Sequence, residues 1–378
     1  MKITRLELFH ISIPFGKPYK LSKVYGTLQN AHAVIFKVHT DEGVVGLGEA
    51  DPLNPFTEET PASVMVVAKE TLAPHLLGRD PMQIGILEFT LDQAVLGNIM
   101  ARGAVNMALY DIIGKVKNVP AHTLLGGLRH PKLPLLDALG SGTPEEDLSF
   151  IEEKMAQGYR SFMLKMGVLP ISVEIKRMIS VRKRFGDQIT ILADANQGWE
   201  FSQTREFIDG IKGYPPDLIE QPVKRWDIEG LKRIRELSPC PLSADESLST
   251  IRDAATLIRE RAVDVFTIKV SKDGGLDKSR QIALVADAFG LKCLMNSMLE
   301  FGITQAASLQ LGCTLPNLLD VGHAYHSVLR MSDDVTDFGR NISGAVVSVP
   351  SGNGLGITLD EGKLKKYTKD YIEVKEAR

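Results

Sequence analysis

The sequence predicts an α/β chain built on a (β/α)7β barrel, with an α+β unit in front of it, and three observations carry that prediction. From residue 133 onward, short apolar runs alternate with amphipathic helical stretches. Ahead of that point the apolar residues alternate with period two and then take on a helical period. Between the two regimes Pro120 and Gly126-Gly127 break both patterns, which marks a boundary.

In order along the chain, Ile3–Ile13 alternates and Ala33–His39 is β-branched and apolar. The turn Asp41-Glu42-Gly43 leads into a returning strand at Val44–Glu49. The polar stretches Gly16–Gln29 and Asp51–Thr60 read as long loops, which in a compact unit are more often binding segments than accidents. From Pro61 to Val119 the period is helical. The predicted barrel strands are Leu133–Leu139, Ser161–Met166, Thr190–Asp194, Leu218–Glu220, Leu242–Ala244, Val265–Lys269, Lys292–Asn296 and Leu318–Asp320, separated by stretches such as Ile228–Leu237 and Ile251–Arg261. The C-terminal segment has a strand candidate at Ala345–Val349, a Gly-rich turn and a charged tail. It has no core of its own and is expected to pack back on the first unit. The expected division is thus 1–127, 128–326 and 327–378.

With 378 residues the chain is long enough for a large core, and a formal charge of −3 with acids and bases intermixed excludes a basic nucleic-acid surface. Cys240, Cys293 and Cys313 are odd in number and lack metal-ligand spacing, so they read as reduced thiols of a cytoplasmic protein. No export-signal core opens the chain, and no apolar run is long enough to span a membrane.

Three carboxylates each close a short apolar run: Asp194 in Leu192-Ala193-Asp194-Ala195-Asn196, Glu220 in Leu218-Ile219-Glu220-Gln221-Pro222, and Asp245 in Ser243-Ala244-Asp245-Glu246-Ser247. Their separations, 26 and 25 residues, match one strand, one helix and the connections between them. Successive parallel strands would deliver all three to one rim. Each could cap the helix after it. In register, however, three acids repel unless a hard cation lies between them, and oxygen-only ligation favours Mg²⁺ or Mn²⁺.

Two lysines hold equivalent strand-end positions, Lys165 in Phe162-Met163-Leu164-Lys165 and Lys269 in Phe266-Thr267-Ile268-Lys269. A lysine in an apolar strand is costly unless its head reaches a polar site, or it snorkels to the rim. These two strands flank the acid-bearing ones, which would set one ammonium on each side of a bound substrate. That pairing suits removal of a proton next to a carboxylate through an enediolate intermediate. A divalent ion stabilises the developing charge and a lysine takes the proton. A second lysine can return a proton, giving racemisation or epimerisation; otherwise the outcome is elimination or cycloisomerisation.

In this order the motifs Lys165, Asp194-Ala195-Asn196, Glu220-Gln221-Pro222, Asp245-Glu246-Ser247 and Lys269 resemble the enolase superfamily, and within it the muconate-lactonizing-enzyme subgroup. Lysine-plus-magnesium chemistry is a known pattern of that superfamily. The resemblance covers nearly the whole chain. It implies an α+β capping domain completed by the C-terminal segment, a TIM-like barrel, and a homo-oligomeric isomerase acting on a small carboxylate. It also implies Asp194, Glu220 and Asp245 as Mg²⁺ ligands, Lys165 and Lys269 as the acid/base pair, Asn196 and Glu246 as supporting groups, and the two long loops as covers.

Three positions depart from or extend that pattern. The subgroup carries Lys-x-Lys on the second barrel strand, and Met163 stands at the first position. Residues two apart point the same way, so Lys165 lacks a like-charged neighbour and should be more basic. Met163 is either a substrate-specific change or a core filler. Dipeptide epimerases of the subgroup carry Asp-x-Asp on the eighth strand. Here Asp320 is followed by Val321-Gly322-His323, which argues against an ordinary dipeptide epimerase. Asp320 is a contact for a cationic substrate group or a helix cap, and His323 reads as a loop residue. Glu300, after the seventh strand, is expected to line the site. Rival readings are a dehydratase of the same superfamily, a Schiff-base aldolase, which needs no carboxylate triad, and an inert metal-binding homologue.

Overall fold

The computed structural model describes residues 1–20 and 26–375. Strands β1 (Ile3–Lys20), β2 (Thr27–Thr40) and β3 (Val45–Ala50) form an antiparallel sheet. One face packs on the helix Ile99–Lys117, of which most residues are buried. Close approach of that helix explains Gly46 and Gly48 on β3. A Cβ at Gly46 would meet the Ala108 carbonyl oxygen at 2.2 Å, and one at Gly48 the Ala104 oxygen at 1.9 Å.

The polar stretch Gly16–Gln29 is not a loop at either of its described ends. Tyr19 pairs with Leu28, and Lys20 with Thr27, because the hairpin ladder runs on past the apolar alternation. Its residues 21–25 lie outside the described residues. Residues 51–60, by contrast, contain no helix or strand.

The barrel begins with a break. The single strand expected over Leu133–Leu139 is two, β4 (Lys132–Pro134) and β5 (Leu136–Leu139), which serve different sheets. From β5 the parallel sheet continues in sequence order through β6 (Ser161–Lys165), β7 (Thr190–Asp194), β8 (Leu218–Glu220), β9 (Leu242–Ala244), β10 (Val265–Ile268) and β11 (Lys292–Met295). Helices connect the strands, and their apolar stripes cover the outer face. Inside, Leu136, Met163, Leu192, Leu218, Val265 and Leu294 form a layer across the barrel floor.

An eighth strand at Leu318–Asp320 is not formed as such. Isolated parallel bridges Leu318–Cys293 and Leu135–His323 close the seam instead. Gly322 explains the tightness there. A Cβ on it would meet the Leu135 carbonyl oxygen at 2.4 Å and the Leu136 nitrogen at 2.7 Å.

After the barrel, β12 (Ile342–Ser343) pairs with β13 (Val346–Ser348), which pairs with β4, and β14 (Thr368–Lys375) adds to the free edge of β1. The tail is therefore a strand despite its charge. Ile372 and Val374 pack against the N-terminal core while the intervening residues face solvent. No helix among the described residues is long and apolar enough to cross a membrane.

Candidate active site

Strand register assembles the site. Lys165 at the end of β6 pairs with Asp194 at the end of β7, which pairs with Glu220 at the end of β8. Glu220 pairs in turn with Ser243, so Asp245, two residues on, stands just past the end of β9. All three acids are fully buried at the C-terminal rim, where barrel chemistry resides.

The lysines sit on the outer two acids. Lys165 Nζ donates to Asp194 Oδ2, and Lys269 Nζ lies 2.5 Å from Asp245 Oδ2. Burial alone would lower both lysine pKa values, but the facing carboxylates outweigh it and hold them above the ordinary lysine range. Lys269 also stands 4.5 Å above the Phe56 ring, which comes from the 51–60 segment.

Glu220, between them, pairs with no lysine among the described residues. Asn296 Nδ2 donates to its Oε1 at 2.9 Å and Thr267 Oγ1 to its Oε2 at 3.3 Å. Burial, and then the charges of Asp194 and Asp245, push its pKa well above the ordinary carboxylate range. That is the signature of one negative charge too many for the protein alone.

Backbone amides fix the acids in place. Asn196 N donates to Asp194 Oδ1 at 2.9 Å, and the Asn196 side chain reaches Glu246 Oε1 at 3.4 Å. The Gln221 amide oxygen receives the amides of Asp245 and Ser247 at 3.0 and 3.1 Å. Asn196, Gln197 and Gln221 all have positive φ, so the loops after β7 and β8 hold strained conformations beside the acids.

As placed, no three His, Cys, Asp or Glu among the described residues form a closed metal cage, and ammonium groups pair with two of the acids. The donor set nevertheless fits a hard divalent ion. It is all oxygen, it is over-charged at Glu220, and the buried Asp245 Oδ1 and Asn196 Oδ1 have no hydrogen-bond partner among the described residues.

Above the acids lies a cavity of about 630 Å³ including its open mouth. Lys165, Lys269, Asn196 and Asn296 form its polar floor, and Met163 joins them beside the apolar layer below. Glu300 does not line the cavity. It holds the wall from behind, accepting from Met298 N at 2.6 Å, Gln305 Nε2 at 3.0 Å and the Ser297 hydroxyl. Burial and the nearby Asp51 carboxylate push its pKa up to about 7. Asp320 is not brought to the site. Leu319 and Val321 turn toward the barrel floor, which leaves Asp320 exposed between them, and no helix begins there for it to cap. His323 is buried in the seam, where its Nδ1 accepts from Met295 N at 3.1 Å. Burial lowers its pKa to about 4, so it is neutral.

Several lining groups escaped the sequence. Asn296 had a signal, since it ends its strand 27 residues after Lys269. Tyr19, Phe56, His326 and Arg330 had none, because they enter from segments with no period in common with the barrel. Arg177 had none either. It is wholly buried, makes a paired contact with Asp147 at 2.7 and 3.0 Å, and donates to the carbonyl of Lys165 at 2.9 Å.

A parallel barrel with acids and lysines at its C-terminal rim defines an enzyme of the enolase superfamily, and comparison with known proteins specifies which kind. Residues 147–363 match the family described as enolase C-terminal domain-like, and residues 5–126 the mandelate racemase / muconate lactonizing enzyme N-terminal domain. The chain belongs to the mandelate racemase / muconate lactonizing enzyme family. It is 33% identical to L-Ala-D/L-Glu epimerase of Bacillus subtilis, covering 94% of this chain and 97% of that one. It is 31% identical to the chloromuconate cycloisomerase CbnB of Cupriavidus necator over 98% of this chain and all of that one. The crystal structure of N-succinyl Arg/Lys racemase from Bacillus cereus superimposes with a TM-score of 0.94 at 30% identity, covering 99% of this chain and 100% of that one. These relatives are isomerases, and enzymes of the family generally depend on a divalent metal.

Proposed function

We propose that this protein is a Mg²⁺-dependent isomerase that moves the α-proton of a small carboxylate, with Lys165 and Lys269 as the two acid/base groups and racemisation or epimerisation as the outcome. The observation that carries the reading is the placement of one lysine at each end of the acid row, on β6 and just past β10.

Asp194, Glu220 and Asp245 would hold the ion, which supplies charge stabilisation to the substrate carboxylate as the proton leaves. Lys165 and Lys269 then face the α-carbon from opposite sides. One accepts the proton and the other delivers one to the opposite face. Asn196 and Glu246 steady the loops beside Asp194 and Asp245, and Glu300 fixes the 297–299 wall. Met163 leaves Lys165 without a second lysine on its own strand, so Lys165 depends on relief from Asp194 to become a base. The units that position this site are 1–127 as a cap, 128–326 as the barrel, and 327–378 as the segment that returns to the cap.

The test is α-proton exchange in D2O with Mg²⁺, read by NMR over a panel of amino-acid derivatives and hydroxy acids. Lys165→Ala and Lys269→Ala should each lose interconversion of the two stereoisomers. Wild-type turnover by either variant would sink the two-base assignment.

A further inference from the structure

The N-terminal sheet carries two histidines that the proton-transfer site does not use. His10 on β1 pairs across the sheet with Val34 on β2 and with Asp370 on β14. His32 stands two residues before Val34, and residues two apart on a strand share a face. His10, His32 and Asp370 therefore project from one side of three adjacent strands. The two rings meet: His10 Nε2 lies 3.2 Å from His32 Nδ1, with ring centroids 5.4 Å apart. All three residues line a cavity of about 1040 Å³ including its open mouth. Leu53, Met298 and Leu299 line both this cavity and the reaction cavity, and so form the wall between them.

The spacing of the rings suits an ion as well as a hydrogen bond. Two imidazole nitrogens on one tetrahedral Zn²⁺, with bonds of about 2.0–2.1 Å, stand about 3.3 Å apart. Imidazole ligates in its neutral form. Burial, above all, holds both histidines below their ordinary pKa range, and the nearby Lys369 adds to this at each. His32 lowers His10 further, and Asp370 alone opposes the shift there. One Asp370 oxygen accepts from Tyr371 N at 2.8 Å, and the other has no partner among the described residues. Cross-strand pairing sets the Cβ atoms of Asp370 and His10 about 5 Å apart. His32 and Asp370 are exposed and His10 is half-buried, so an ion reaches them from solvent.

We infer that His10 and His32 form a binding site for a borderline divalent cation of the Zn²⁺ class, with Asp370 as its counter-charge. As placed, the three residues close no cage, so the two rings are the protein ligands and water fills the remaining positions. Nitrogen ligands suit such ions, whereas Mg²⁺ takes oxygen, so this site and the acid row divide two ion chemistries. On binding, both facing nitrogens present lone pairs. The ring that had donated between them carries its proton on its outer nitrogen instead, and none is released. The bound ion ties β1 to β2 beside the edge that β14 closes.

The probe is Zn²⁺, titrated by calorimetry into the untagged full-length protein in excess Mg²⁺, with imidazole nitrogen shifts followed by NMR. Because Zn²⁺ can also enter the acid row, wild type and Glu220→Gln are titrated side by side. Both should show a binding step that moves the ring nitrogens of His10 and His32, and Mg²⁺ alone should move neither. His10→Gln and His32→Gln should each abolish that step while leaving the circular dichroism spectrum unchanged. Asp370→Asn should weaken it about tenfold. Equal Zn²⁺ binding in wild type and both histidine variants would overturn the site, leaving the pair as a hydrogen bond only. No binding to Glu220→Gln, or shifts confined to other histidines, would overturn it as well. An equal response to Mg²⁺ would overturn the ion class, and undiminished affinity in Asp370→Asn the part given to that carboxylate.

Discussion

Arg177→Met should be the most damaging single change outside the acid row. In the folded protein Arg177 is wholly buried on the helix Ile171–Phe185, and its guanidinium makes four hydrogen bonds to oxygen: two to Asp147, one to the Lys165 carbonyl and one, at 3.2 Å, to the Gly140 carbonyl. Removing the cation takes the donor from a buried carboxylate and from the Gly140 carbonyl, while the Lys165 carbonyl keeps the Ser141 hydroxyl at 3.3 Å. Breaking a buried ion pair from one side costs about 3–5 kcal/mol. Burial already raises the pKa of Asp147 even with Arg177 beside it, and without Arg177 it rises further. A carboxyl whose folded pKa lies above its unfolded value destabilises the fold as pH rises between the two. The loss in Arg177→Met should accordingly be larger at high pH than at low pH. The assay is urea unfolding in a Trp226→Phe background at about pH 5 and about pH 8, with reversibility checked by refolding. Trp199 then reports alone, since it is 2% exposed and stacks on Phe207 at 4.6 Å, whereas Trp226 is 75% exposed. A loss under about 1 kcal/mol, or the same loss at both pH values, would refute the reasoning. Lys165 hangs from the carbonyl that Arg177 holds, so the maximal rate of exchange should fall as well. A misplacement of about 1 Å can cost about a hundredfold.

Mg²⁺ should raise the thermal midpoint of the wild-type protein, and EDTA should remove both that rise and α-proton exchange. Glu220→Gln should be more heat-stable than wild type without metal, because it removes one of three repelling carboxylates, and should show no Mg²⁺-dependent rise. Gly322→Asp, which introduces the second acid of the Asp-x-Asp pattern, should lower the thermal midpoint without conferring dipeptide epimerisation. Its Cβ has to push Leu135 off the seam, an overpacking worth about 1–3 kcal/mol or more. Glu88, which burial raises to about pKa 7, should destabilise the fold as pH climbs from about 4.5 through 7. Glu88→Gln should match wild type at low pH and exceed it by about 2–3 kcal/mol above pH 8, read by paired urea titrations; a constant difference across pH would count against it.

How much of this was legible in the sequence depends on whether a residue repeats with the barrel. Asp194, Glu220, Asp245, Lys165 and Lys269 recur at strand ends, and parallel register converts that spacing directly into proximity. Strand β7 and strands β8 and β9 fall where the apolar runs put them, since a strand buried on both faces is an uninterrupted apolar run. Strand β14 was hidden because only Ile372 and Val374 meet a core, and Lys369, Asp370, Tyr371, Glu373 and Lys375 around them are exposed. Asp320 misled for the opposite reason. The residue type matched a family position, yet Leu319 and Val321 take the inward places and turn it out to solvent. Arg330 and Tyr19 come to the cavity through long-range packing, and no local pattern encodes that.

Strand β14 also sets an order of events. The N-terminal sheet pairs Arg5 with Lys375 and Leu8 with Ile372, so the first strand described waits for the last one described. Barrel strands β5 through β11 find their partners in the order in which they are made. The sheet before them cannot be finished until residues 368–375 have been made. During that interval the edge of β1 offers its backbone to any passing strand, a hazard that ends only when residues 368–375 dock.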